Sequence, residues 1–285
     1  MKHVVLLTII VFCMICSGQT HGAEKKIGLI PAPKFDKGKG IIKAYQQTVW
    51  EQILAINRYK SLNCQMVLVE ENELTSFEKL RRYQLIIIPS ARETLPVGSP
   101  DVFKEYIKSG GWLIRDWGGP FCLDIDGDGI LSQGDLTEES REALKKFWQE
   151  IAGASEASKP VFNLIRKIRA AASLPSFTGN LSSEFMELDL TLKMPHLSYN
   201  CAYYQLSTAK ALAEAVVINI PTNNFQAEGK ELDGIFPVVA VNQYGKGACV
   251  SLGINIRAML KPPAEFYTGL LYNIFSQALK QTLVE

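Results

Sequence analysis

The chain has 285 residues, 30 of them basic and 29 acidic, for a net charge of +1, with 47% hydrophobic and 21% charged residues. This balance, with the lack of any basic block or aromatic-interleaved stripe, argues against a nucleic-acid partner. The length suits one large domain or two small ones.

Residues 1–22 read as a secretory signal peptide. Lys2 and His3 lead into an apolar run from Val4 to Cys16, and Thr20 and Gly22 are small residues suited to cleavage before Ala23. The run falls short of the roughly 20 residues that a spanning helix needs, and no later run approaches that length. Acylation of Cys16 would make the chain a lipoprotein, but Ile15 stands where a small residue is expected. Cleavage removes Lys2 and leaves 29 residues of each sign. The expectation is a secreted or periplasmic protein with no transmembrane helix in its mature form.

Strand and helix then alternate. Lys26 to Pro31 predicts a strand, Ile42 to Asn57 carries apolar residues at helical spacing, Gln65 to Glu70 predicts a second strand and Ser76 to Tyr83 a short helix. Gln84-Leu-Ile-Ile-Ile-Pro89 is apolar without alternation, as in a strand buried on both faces. Pro100 to Ser109 predicts a helix stopped by Gly110-Gly111, and Trp112 to Trp117 a fourth strand. This rhythm implies a doubly wound, mainly parallel α/β sheet of flavodoxin-like type, whose ligands collect at the carboxyl ends of the strands.

Directly after the fourth strand, residues 124–135 place Asp124, Asp126, Asp128 and Asp135 at the first, third, fifth and twelfth positions of a loop, with Gly129 at the sixth. Alternate carboxylates converge as the chain curls, the glycine permits the bend, Ile130 offers its carbonyl, Ser132 holds a water and Asp135 closes the shell around Ca2+. An acidic, glycine-rich surface turn is the plainer alternative. The loop resembles those of dockerin modules, which also depart from the usual closing Glu, although a dockerin carries two such loops and this chain one.

Thr137 to Gly153 predicts an amphipathic helix with Leu144, Phe147, Trp148 and Ile151 on one side. Residues 154–200 are expected to be an insertion or cap, with a basic helical piece around Asn163 to Ala172. Strands are expected at Ala215 to Ile220, Phe236 to Val241 and Ala248 to Leu252, the last two joined by a tight reversal at Gln243 to Gly247, and a helix at Glu265 to Leu279. Residues 23–285 are thus expected to form one α/β domain with a C-terminal hairpin. Cys64, Cys122, Cys201 and Cys249 remain after cleavage and allow two bridges in three connectivities, with Cys64 and Cys249 expected in the core.

The segments Tyr83 to Ser90, Val102 to Ile114 and Pro237 to Gly253 resemble the class I glutamine-amidotransferase-like superfamily, in its biotin-protein-ligase N-terminal-like and ThuA-like branch. The resemblance implies a sharp elbow at the fourth-strand exit that lifts a nucleophilic cysteine, with a histidine as base and a carboxylate to orient it. Here Asp116-Trp117-Gly118-Gly119 occupies that turn and no thiol stands at its apex. The sequence therefore leans away from an enzyme and toward an exported calcium-binding domain with a role in binding or assembly, its partner a small molecule, a glycan or a protein. One alternative is a hydrolase or amidase using Cys122 with His196 as base and Glu184 or Glu187 as orienter, or using Asp116. Another is a carbohydrate-associated module with Trp117 as a stacking platform, in line with a likeness to β-galactosidase middle domains.

Overall fold

The computed structural model describes residues 25–31, 50, 52–53, 55, 57–89, 92–116, 119–127, 131–156, 165–170, 188–189, 204–217, 234–253 and 264–280. Residues 1–22, expected to be a leader, and most of the segment expected to be helical at 42–57 lie outside these residues, although positions 50, 52, 53 and 55 are helical. In chain order the elements are β1 (Lys25–Leu29), α1 (Asn57–Lys60), β2 (Cys64–Leu68), a 3-10 turn (Glu71–Glu73), α2 (Phe77–Leu80), β3 (Leu85–Ile88), β4 (Thr94–Pro96), α3 (Ser99–Ser109), β5 (Trp112–Arg115), β6 (Cys122–Asp124) and α4 (Glu138–Ala152). They continue as β7 (Ala154–Glu156), β8 (Ile165–Ala170), β9 (Leu188–Asp189), β10 (Tyr204–Leu206), β11 (Lys210–Val217), β12 (Gly234–Tyr244), β13 (Gly247–Leu252) and α5 (Ala264–Ala278).

Nine strands form one sheet in the order β2-β1-β3-β5-β13-β12-β11-β8-β9. The first five run parallel and the rest antiparallel. The parallel half has the flavodoxin-like winding in which the chain steps from β1 to one side and then back to the other. Alternation along each strand divides the core. Ile27, Leu85, Ile87, Ile114 and Val250 face one layer with Leu270, Ile274 and Phe275 of α5, while Ile86, Ile88, Leu113 and Cys249 face the other with Phe103 and Ile107 of α3 and Leu144 and Ile151 of α4. All four residues of β3 are buried because both faces are covered, which is why its sequence shows no period. Among the described residues no helix is long and apolar enough to cross a membrane.

The basic segment at 163–172, expected to be helical, is corrected: Ile165–Ala170 is a strand antiparallel to β11. Its isoleucines recur three residues apart and imitate a helical face, but the open edge of β11 supplies a ladder that outweighs local preference. Together with β9 it extends the antiparallel wing beyond the expected hairpin.

Glycine fixes how the hairpin between β12 and β13 meets α3. The Lys246 amide donates to the Lys108 carbonyl at 3.1 Å and the Ala248 amide to Gly111 at 3.3 Å. A Cβ on Gly247 would stand 2.0 Å from the Gly111 oxygen and 2.5 Å from the Ile107 oxygen, both backbone atoms that cannot step aside. Gly247→Ala is therefore expected to cost about 2 kcal/mol through overpacking, read in urea as a lower midpoint with an unchanged slope.

Candidate metal centre at the carboxyl rim

Two short strands carry the acidic loop. β4 and β6 pair in parallel, Thr94 with Cys122 and Pro96 with Asp124, apart from the main sheet. On the far side of β6, the Leu123 amide donates to Ser140 Oγ at 2.6 Å, and that hydroxyl lies 3.3 Å from the Leu123 carbonyl, to which it donates. Trp148 Nε1 donates to the Pro120 carbonyl at 2.9 Å. Ser140 and Trp148 both belong to α4, so the helix that follows the loop also holds the strand that precedes it. The start of α4 is fixed by Thr137, whose hydroxyl accepts from the Ser140 amide at 3.1 Å, with Glu138 and Glu139 in the first turn where the helix dipole favours negative charge.

Within the loop Asp124 and Asp135 are buried and Asp126 is exposed. Asp124 Oδ1 accepts from the Gly127 amide at 2.7 Å, a curl that Gly127 permits with φ +76°. Asp135 Oδ1 accepts from the Ile125 amide at 2.6 Å, and its Oδ2 accepts from the Ser132 amide at 2.7 Å and the Ser132 hydroxyl at 2.8 Å. Burial pushes the Asp135 carboxyl up, but these three hydrogen bonds outweigh it and hold the group below its ordinary value. Asp135 therefore closes the loop as an ionised group whether or not a cation is present.

One carboxylate oxygen from each of Asp124, Asp126 and Asp135 lies within 4.8 Å of the others. Oxygens sharing a calcium ion at about 2.3–2.6 Å lie no more than about 5 Å apart, so these three fit one ion. Asp128 and Ile130, the other expected ligands, lie outside the described residues. Ser132 reaches Asp135 with both its amide and its hydroxyl, a bracing role that the ligand spacing alone did not suggest.

Asp116 is buried at the exit of β5, where its amide donates to the Ile88 carbonyl at 2.9 Å and its carbonyl accepts from Gly119 at 3.1 Å. Arg115, on the opposite face, lies 4.6 Å from the ring centre of Trp148. Trp117, His196, Glu184, Glu187 and Cys201 lie outside the described residues. Trp112 is core, and Phe121 is 44% exposed on the rim.

Cys122 is fully buried, its Sγ 3.8 Å from the Glu93 carbonyl. Burial first, then the negative charge of Asp135 and to a lesser extent Glu93 and Asp124, pushes its thiol up to about 11 against a partial opposing effect of Arg141. An attacking thiol needs the reverse surroundings. Cys249 is buried as expected, whereas Cys64 is only half-buried on edge strand β2, and no disulfide joins any two of Cys64, Cys122 and Cys249.

One charged residue of this rim escaped the sequence reading. Arg92, between β3 and β4, is wholly buried, and Glu71 of the 3-10 turn faces it with both carboxylate oxygens. An arginine just past a strand reads as surface, and nothing in its neighbours signals otherwise.

No family model and no curated protein matches the chain. Among solved structures it is similar to a ThuA-like protein from Bacteroides uniformis ATCC 8492, with TM-score 0.50 and 13% identity over 90% of this chain and 91% of that one. It is also similar to a β-galactosidase from Bacillus circulans sp. alkalophilus, with TM-score 0.49 and 15% identity over 88% of this chain and 30% of that one. A cytoplasmic protein from Salmonella typhimurium LT2 has TM-score 0.45 and 14% identity over 88% of this chain and 98% of that one. The chain spans about 30% of the length of the β-galactosidases it matches. What this chain shares with the ThuA-like protein, over nearly the whole of both, is the flavodoxin-like α/β fold.

Proposed function

We propose that this is an exported, calcium-binding domain of amidotransferase-like fold in which a metal loop takes the place of a catalytic elbow and which acts in binding or assembly. The observation that carries the reading is the convergence of Asp124, Asp126 and Asp135 oxygens in a loop that follows a strand held by α4. Asp128 and the Ile130 carbonyl would complete the ligand set that the sequence spacing supplies, with Ser132 holding the closing carboxylate. Calcium in this position neutralises charges that otherwise repel one another and couples the β6 exit to α4. The leader supports export, and the surroundings of Cys122 support a role without covalent chemistry. The partner is a small molecule, a glycan or a protein.

Calorimetric titration of the purified chain is expected to give uptake of one Ca2+, with Mg2+ taken up more weakly because it demands near-ideal octahedral geometry at about 2.0–2.1 Å and sheds its waters reluctantly. At a hundredfold excess over Kd the ion stabilises by about 2.7 kcal/mol, which raises the melting midpoint by roughly 5–10 °C and is reversed by chelator. No uptake, or melting curves indifferent to chelator, overturns the proposal.

Asp135→Asn is expected to abolish calcium uptake and, in chelator, to lower stability by about 1–3 kcal/mol, because an amide nitrogen replaces an acceptor facing two donors of Ser132.

The Cys122 thiol gives a pH signature with a definite sign. Between the ordinary thiol value near 8.5 and about 11 the unfolded chain sheds the proton while the folded chain keeps it, so stability falls as pH rises through that window. Cys122→Ala is expected to flatten this slope in chelator, and native Cys122 is expected to resist alkylation at pH 8, as mapped by peptide mass.

A further inference from the structure

The sheet order places a topological switch between β1 and β3, since the chain leaves β1 toward β2 and returns on the other side through β3. In open α/β sheets the crevice above such a point is where ligands sit. Here it holds a guanidinium. Arg92 Nε donates to the Thr94 carbonyl at 2.5 Å, and Nη1 lies 3.4 Å from the Pro31 carbonyl at the exit of β1. These contacts hold the flanks of the planar fork to backbone. Its end is a two-pronged receptor, with Nη1 donating to Glu71 Oε2 at 2.9 Å and Nη2 to Glu71 Oε1 at 2.5 Å.

The two partners differ in access. Arg92 is 0% exposed, whereas the side chain of Glu71 is 38% exposed. Glu71 is the first residue of a single 3-10 turn whose own closure is made elsewhere, by the Glu70 amide donating to Glu73 Oε2 at 3.2 Å and by Glu73 with Tyr83 and Arg82. The carboxylate can therefore swing outward without dismantling the turn, while the guanidinium cannot follow. A planar anion with two oxygens can occupy the same two prongs.

We propose that Arg92 at the β1/β3 switch is the receptor for a carboxylate-bearing small molecule, and that Glu71 is a tethered stand-in which such a ligand displaces. A monocarboxylate fits better than a dianion. Among the described residues Arg92 is the one cation paired with this carboxylate, so a single negative charge leaves the buried site neutral and a second would be uncompensated. The inference goes beyond the calcium reading and is independent of it, because none of these residues belongs to the acidic loop.

Acetate is the probe, titrated at matched ionic strength against chloride and sulfate, with free calcium held constant in all arms. The reporter is the Arg92 Nε–H resonance, assigned by its absence in Arg92→Lys. In wild-type protein acetate is expected to shift this resonance only at high concentration, because the tethered carboxylate competes from within. In Glu71→Ala the midpoint is expected to fall roughly tenfold or more, with a matching rise in melting midpoint that chloride does not give. Glu71→Gln, which keeps the side-chain length, serves if the alanine variant does not fold, and the wild-type titration decides alone if neither does. An Arg92 signal unmoved by acetate overturns the proposal, as does a response that sulfate reproduces. Loss of calcium uptake with an intact acetate response sinks only the metal reading.

Discussion

The position of β5 between β3 and β13 is the constraint on which the molecule depends. Leu113 and Ile114 point into opposite layers, each sealed by helices, so β5 cannot slide by one residue without turning its apolar side chains to the wrong face. Its exit is thereby fixed, with the Asp116 amide held on the Ile88 carbonyl. Everything at the rim is placed relative to that exit: the turn through Gly119, the pair β4 and β6, and the acidic loop that α4 holds from behind.

The rim satisfies buried charge in two different ways. Asp135 is paired by backbone and hydroxyl donors, which favour ionisation without a counter-charge nearby. Arg92 is paired by an opposite charge and two carbonyls. The first arrangement leaves carboxylate charge available to a cation. The second is already neutral, and only an equivalent anion can replace the partner. The thiol of Cys122 sits beside the acidic group, where neighbouring carboxylates suppress the thiolate that covalent chemistry requires.

The winding of the fold was legible because its signals are local. The apolar run of β3, the double glycine after α3 and the one-sided apolar spacing of α4 each report their own environment. The convergence of Asp124, Asp126 and Asp135 was legible for the same reason, as their spacing belongs to one short stretch of chain. What could not be read depends on distant partners. β4 and β6 have three residues each, too few for a period, and exist because they pair with one another. β8 is a strand because β11 lies beside it. Arg92 is buried because Pro31, Glu71 and Thr94 meet around it from three separate segments.

The strand that flanks β5 on its far side, β13, begins at Gly247. During synthesis β1, β2, β3 and β5 are made well before it, leaving the apolar edge of Trp112 to Arg115 without its neighbour until most of the polypeptide has been produced. Such a bare edge is a template for pairing between nascent molecules. A chain that stops short of β13 keeps that edge bare, so the pairing made by Gly247 to Leu252 closes the sheet as well as extending it.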